Sequence, residues 1–173
     1  MSEDEDNRTL VVVRHAKAEA DGPTDFERRL AESGHADAAV VGAWLAERGI
    51  VPDHALVSAA VRTIQTWDDI ADAAGWDLEP DLDESLYAAG PESALDLVRS
   101  VPDDVRTLVV IGHNPTIASL AQLLDDGEGD VDAGNQLALG YPTAATTVLS
   151  YDGDWEDLAD ASASVVAFFV GRA

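Results

Sequence analysis

Two short runs of purely aliphatic residues, Leu10-Val11-Val12-Val13 and Leu108-Val109-Val110-Ile111, limit the fold of this chain more than any other feature. Neither alternates apolar with polar residues, so neither suits a strand with one wet face. Short aliphatic runs between polar segments mark strands buried on both faces, as in a parallel sheet covered by helices. Thr9 to Val13 and Thr107 to Ile111 are therefore read as such strands. Each delivers a histidine directly after its end: Arg14-His15 after the first, Gly112-His113-Asn114-Pro115 after the second.

The segments between them alternate helix with strand. A helix is expected from about Ser33 to Arg48, with Ala36, Ala39, Val40, Ala43 and Trp44 as its apolar face and Gly49 as its stop. His54 to Ser58 is a short strand, followed by a helix from Ala60 to Ala74 that ends at Gly75. Leu78 to Leu82 carries a weaker strand signal. Pro91 to Arg99 is a helix with proline in its first turn. Asn114 is expected to cap a helix that has Pro115 at its first position and runs to about Leu124. Ala18 to Glu27 and Asp125 to Gly134 read as loops. Thr146 to Tyr151 and Ser164 to Val170 read as closing strands, able to pair as a hairpin at one edge. The class is α/β: a mostly parallel central sheet with helices on both faces. Residues 1–8 are expected to form a disordered acidic lead-in, and 9–173 a single domain.

Composition narrows the function. Asp and Glu number 34 against 10 Lys and Arg, a net charge of −24, and Lys17 is the only lysine. The acids are dispersed, as in Asp68-Asp69, Asp103-Asp104 and Asp125-Asp126. Such self-repulsion is relieved by salt. Dispersed acidity almost without lysine resembles the proteins of salt-accumulating, extremely halophilic microbes; the alternative is an acidic protein with a basic partner. Nucleic acids and anionic membranes are poor partners, because their phosphates would be repelled. No apolar run is long enough to span a membrane, and the N-terminus is acidic, so a soluble, cytoplasmic protein is expected. Without cysteine there is no disulfide, thiolate ligand or thiol nucleophile. The four histidines lack metal-ligand spacing, and Gly127-Glu128-Gly129-Asp130 lacks the ligand alternation of a calcium loop, so neither metal nor cofactor is expected. His35 and His54 are read as structural, and the tryptophans as packing residues.

Ligands of open α/β sheets bind beyond the carboxyl ends of the strands. Arg14, His15 and His113 stand at two such ends. The segment Ser58 to Thr66 brings Arg62 to a third, at the start of a helix. Asn114 opens a helix whose free N–H groups favour an anion. Two arginines and two histidines at one edge describe a site for a phosphate group, in which one histidine attacks phosphorus and the other cations hold its oxygens.

Four segments then resemble one family. Arg14-His15-Ala16-Lys17-Ala18 is similar to the signature of the histidine phosphatase superfamily, whose common form is Arg-His-Gly, and its Ala-Lys version resembles the small SixA-like phosphohistidine phosphatases. Arg28-Arg29-Leu30-Ala31-Glu32-Ser33-Gly34 resembles that branch's Arg-Pro-Leu-Thr-x-x-Gly segment, with Arg29 and Ala31 as departures. Ser58-Ala59-Ala60-Val61-Arg62-Thr63-Ile64-Gln65-Thr66 resembles its Ser-x-Ala-x-Arg-x-x-Gln-Thr segment. Gly112-His113-Asn114-Pro115 matches its second-histidine motif. The last 45 or so residues carry no matching motif.

The resemblance implies a phosphoglycerate mutase-like three-layer sandwich and a phosphatase that needs no metal. His15 would be the nucleophile, with Arg14, Arg62 and, if protonated, His113 around the phosphoryl group. Arg28, Lys17 and Asn114 would bind substrate. Glu84 stands where larger members carry a general acid. Phosphohistidine has a better leaving group than an alcohol, which favours a phosphorylated protein as substrate. The alternatives are a small phosphate ester, or a phosphate-binding or phosphoprotein-binding module without turnover.

Overall fold

The computed structural model describes residues 7–173; residues 1–6, and with them most of the expected lead-in, lie outside the described residues. The chain forms strands β1 (Asn7–Arg14), β2 (His54–Ser58), β3 (Asp81–Asp83), β4 (Thr107–Gly112), β5 (Ala145–Asp152) and β6 (Ala163–Val170). Helices are α1 (Glu32–Glu47), α2 (Val61–Ala74), α3 (Ser85–Ala88), α4 (Pro91–Arg99), α5 (Thr116–Leu124) and α6 (Val131–Leu139). One sheet holds all six strands in the order β3-β2-β4-β1-β5-β6. The first four are mutually parallel, whereas β5 is antiparallel to both β1 and β6, giving the expected hairpin at one edge.

The aliphatic runs lie at the centre of this sheet, and their alternate residues feed two cores. Leu10 and Val12 pack with Leu95 and Val98 of α4, Leu120 and Leu124 of α5, and Trp155. Val11 and Val13 pack with Val41 and Leu45 of α1 and Trp67 and Ile70 of α2. Both faces are therefore dry, which is why these strands show no alternation. Among the described residues no helix is long and apolar enough to cross a membrane.

Four expectations are corrected. β1 starts at Asn7, not after residue 8, because Arg8 is a buried part of the strand. Its guanidinium donates to the carbonyls of Asp103 (2.8 Å) and Gly153 and lies over the Trp155 ring. The expected loop 125–134 ends in helix α6, capped by the Asp130 carboxylate, which accepts from the Ala133 N–H at 2.9 Å. Pro115 precedes α5 instead of opening it, while Asn114 Oδ1 still accepts from the Ala118 N–H at 3.2 Å.

The fourth correction concerns the buried face of α1. It consists of Gly34, Asp37, Ala38, Val41, Gly42 and Leu45, whereas Ala36 and Ala43 are exposed. Ala, Val and Trp surround this helix almost evenly, so apolar period alone could not select a face. Close approach does. A Cβ on Gly42 would lie 2.4 Å from the Ile70 carbonyl oxygen, and one on Gly34 would lie 2.1 Å from that of Lys17. Glycine lets α1 rest directly on α2 and on the loop that follows β1. Gly42→Ala should force these helices apart and cost about 2 kcal/mol, as overpacking does. Urea unfolding checks this; a midpoint unchanged from wild type would contradict the packing account.

Candidate active site

The β1–β4 register pairs Arg14 with Gly112, so the next residues of each strand, His15 and His113, emerge together. The His15 N–H donates to the Gly112 carbonyl at 3.1 Å, and the two imidazole centroids are 5.4 Å apart. Arg62 joins them from the first turn of α2.

The rest of that helix face fastens the loops. Arg62, Gln65 and Thr66 follow i, i+3, i+4 spacing and share one side of α2. Gln65 Oε1 accepts from the Leu30 N–H at 2.8 Å, and Thr66 Oγ1 accepts from the Ala16 N–H at 3.1 Å. The Arg-x-x-Gln-Thr spacing thus places a cation in the site and ties down both segments beside it. The C-terminal part of the chain also contributes. The Tyr141 carbonyl accepts from Arg14 at 3.1 Å and from Asn114 Nδ2 at 2.8 Å. The Ala144 N–H donates to the carbonyls of Arg14 and His15. The Tyr141 hydroxyl donates to the Val12 carbonyl at 2.6 Å and lies 2.8 Å from Thr147 Oγ1, which locks this segment to the strands.

His15 is 8% exposed and forms the floor. Its Nδ1 lies 2.7 Å from the Ala16 carbonyl oxygen. A carbonyl can only accept, so Nδ1 carries the proton, and in the neutral ring Nε2 keeps a free lone pair. Burial, reinforced by the charges of Arg62, Arg14 and Arg28, lowers the His15 pKa to about 4. The charged ring is disfavoured by roughly 3 kcal/mol relative to water, so His15 is neutral near pH 7. Burial likewise lowers the His113 pKa to about 3, with Arg62 and His15 adding to the effect. The condition attached to His113, that its ring be protonated, is therefore not met near pH 7 in the free protein. Its Nε2 is 2.8 Å from Ser58 Oγ, and Nδ1 has no partner. Among the described residues, Arg14 Nε, Arg62 Nε and His113 Nδ1 are buried without a hydrogen-bond partner, alongside Arg8 Nε. Three of these four orphans belong to residues that surround His15 by ring contact or charge. The two guanidinium N–H groups are unmet donors, and His113 Nδ1 is a third when Nε2 of its neutral ring accepts from the Ser58 hydroxyl; such donors gain from an anion.

The rim holds residues that the sequence did not single out. Asp25 lies among the cations: its Oδ1 accepts from Arg28 at 2.9 Å, and its Oδ2 accepts from Arg62 at 3.1 Å and from the Tyr87 hydroxyl. Arg62 also donates to the Asp25 carbonyl at 2.7 Å. The Tyr87 hydroxyl, followed by the two arginines, holds the Asp25 carboxyl well below the usual carboxylate range. Tyr87 meets the His113 and Phe26 rings edge-on. The Asp25-x-x-Arg28 spacing was a visible signal; Tyr87 and Tyr141 had none. Lys17 is exposed and, among the described residues, its side chain has no ion-pair partner, while its carbonyl accepts from the Ala31 N–H. Glu84 is exposed just after β3, and among the described residues its carboxylate has no hydrogen-bond or ion-pair partner.

Comparison with known proteins gives the family. Residues 10–89 match the histidine phosphatase superfamily (branch 1). An uncharacterized protein of Mycobacterium tuberculosis is 36% identical over 162 residues, 92% of this chain and all of its own. A solved protein named as phosphohistidine phosphatase SixA from Nakamurella multipartitia is 33% identical, with a TM-score of 0.82 over 96% of this chain and 98% of its own. One of the same name from Agrobacterium tumefaciens is 27% identical, with a TM-score of 0.79 over 94% and 97%. The three-layer α/β fold is phosphoglycerate mutase-like, and fold and site together define a phosphatase. The chain belongs to the histidine phosphatase superfamily, in its SixA-like branch.

The electrostatics predict the behaviour of both rings. In an NMR titration of the free protein, His15 and His113 should stay neutral through the ordinary histidine midpoint of 6.5 and take up protons only near about 4 and about 3. Saturating inorganic phosphate should raise the His113 midpoint, because the anion balances the cations that keep the ring neutral. A midpoint near 6.5 in the free protein would contradict the burial account.

Proposed function

We propose that this protein is a protein phosphohistidine phosphatase, with His15 as the nucleophile. The observation that carries this reading is the Nδ1–H bond from His15 to the Ala16 carbonyl, which leaves Nε2 free on a buried ring beside Arg14, Arg62 and His113. The Nε2 lone pair attacks phosphorus, and the bond to the leaving group breaks on the opposite side. The nonbridging oxygens meet Arg14, Arg62 and the unpartnered His113 nitrogen. Water then attacks the phosphohistidine, releasing phosphate and restoring His15 with its Nδ1 proton in place. These side chains can neutralise the phosphoryl group without a metal.

Asn114 steadies Arg14 through their shared hold on the Tyr141 carbonyl and keeps one amide hydrogen for a phosphoryl oxygen. Lys17 and Arg28 contact the substrate from the rim. The acidic surface suits work in concentrated salt, where the repulsion between an anionic substrate and a net charge of −24 is screened.

A small phosphate ester is the second reading. Its alcohol leaves only with a proton, and the Glu84 carboxyl group, exposed at the end of β3, supplies one only if it is protonated in the substrate complex. The test is phosphate release from a phosphohistidine peptide and from p-nitrophenyl phosphate, side by side in molar KCl, for wild type and His15→Ala. Release from the peptide should dominate, and the variant should lose about a thousandfold or more of it. Release mainly from the phenyl ester would move the assignment to small esters. Stoichiometric phosphoprotein binding without release would make the protein a binding module.

A further inference from the structure

His15 lies buried on the floor of the site, and the Asp25 side chain lies at the rim, 53% exposed. In-line displacement sends the leaving group away from the nucleophile, from the His15 floor out toward the rim. The Asp25 carboxylate is fixed there by Arg28, Arg62 and the Tyr87 hydroxyl. Those partners keep it ionised, so it cannot serve as a general acid. It retains an unused lone pair on Oδ1, because a carboxylate offers about four acceptor positions and these contacts fill three. Phe26 and Tyr87, edge to face with centroids 5.0 Å apart, supply an aromatic wall beside it.

A phosphohistidine gives up its phosphoryl group easily only when the ring's other nitrogen carries a proton. The P–N bond then breaks with its electron pair going to the ring nitrogen, and a neutral imidazole departs with the distal N–H intact. No protein acid is needed. On the enzyme's side the same arrangement is built in: His15 forms its N–P bond through Nε2 while the Ala16 carbonyl holds its distal Nδ1–H at 2.7 Å. Transfer between two imidazoles is near-symmetric, so the departing ring needs a matching acceptor at the rim.

The geometry points to Asp25 as that acceptor: its carboxylate receives the distal N–H of the departing imidazole and selects phosphohistidine over phosphate esters. This inference rests on the phosphohistidine reading above. An alcohol or phenol presents no such N–H, and its developing negative charge would face a carboxylate.

The test is the ratio of kcat/KM for a phosphohistidine peptide to that for p-nitrophenyl phosphate, in wild type, Asp25→Asn and Asp25→Glu, with thermal melts confirming folded protein. Loss of a charge-assisted hydrogen bond should lower the ratio about tenfold or more in Asp25→Asn. Asp25→Glu, which keeps the charge, should recover part of it. If both substrates lose activity equally in Asp25→Asn, Asp25 serves only to position Arg62, and the inference falls. If Asp25→Asn does not fold, Asp25→Ser takes its place in the same comparison: a lowered ratio supports the inference, and a ratio equal to wild type refutes it. Wild type that cleaves only the phenyl ester refutes the phosphohistidine reading itself; wild type that cleaves both with a ratio unchanged by substitution refutes only the role of Asp25.

Discussion

The pairing of β1 with β4 is the contact on which the rest depends. Adjacent parallel strands in the register Arg14 opposite Gly112 end at the same level, and the His15 N–H closes the ladder on the Gly112 carbonyl. Shifting that register by one residue would turn Val11 and Val13 out of their core and separate the two histidines. The same dry packing that fixes the strands therefore fixes the distance between the rings. Two helical layers are needed to keep both faces of these strands dry, so the three-layer fold and the site share one cause.

Placing histidines among arginines in a buried site would be costly if the rings were charged. The site avoids that cost by keeping both rings neutral, through burial first and the neighbouring guanidinium groups second. Neutrality is also what nucleophilic attack requires. The Ala16 carbonyl completes the arrangement by setting which nitrogen carries the proton. Part of the guanidinium charge is met by Asp25, while the Nε atoms of Arg14 and Arg62 have no partner among the described residues. A local positive site thus persists inside a chain of net charge −24.

Much of this was legible in the sequence because it follows from short-range rules. Two short, unbroken aliphatic runs between polar segments fit doubly buried strands, and residues just past the ends of such strands lie at the carboxyl edge. His15, His113, Arg14 and Arg62 follow from that reasoning alone. What escaped depends on tertiary approach. The face of α1 was set by Gly34 and Gly42 against neighbouring carbonyls, which no periodicity encodes. The Tyr141 carbonyl reaches Arg14 from 127 residues away, and backbone acceptors carry no sequence signature. Tyr87 owes its place to the packing of α3 against β2. Asp25 had a local signal in its spacing to Arg28, but it was submerged in a chain where acids are common.

The central claim is that His15 becomes phosphorylated during turnover. Rapid acid-free quench of wild type with a phosphohistidine peptide in molar KCl, followed by proteolysis and mass spectrometry, tests it directly. The account predicts an acid-labile phosphoryl group on the peptide containing His15, absent in His15→Ala. Turnover with no phosphoenzyme at any time point, or with the phosphoryl group on His113, would contradict it.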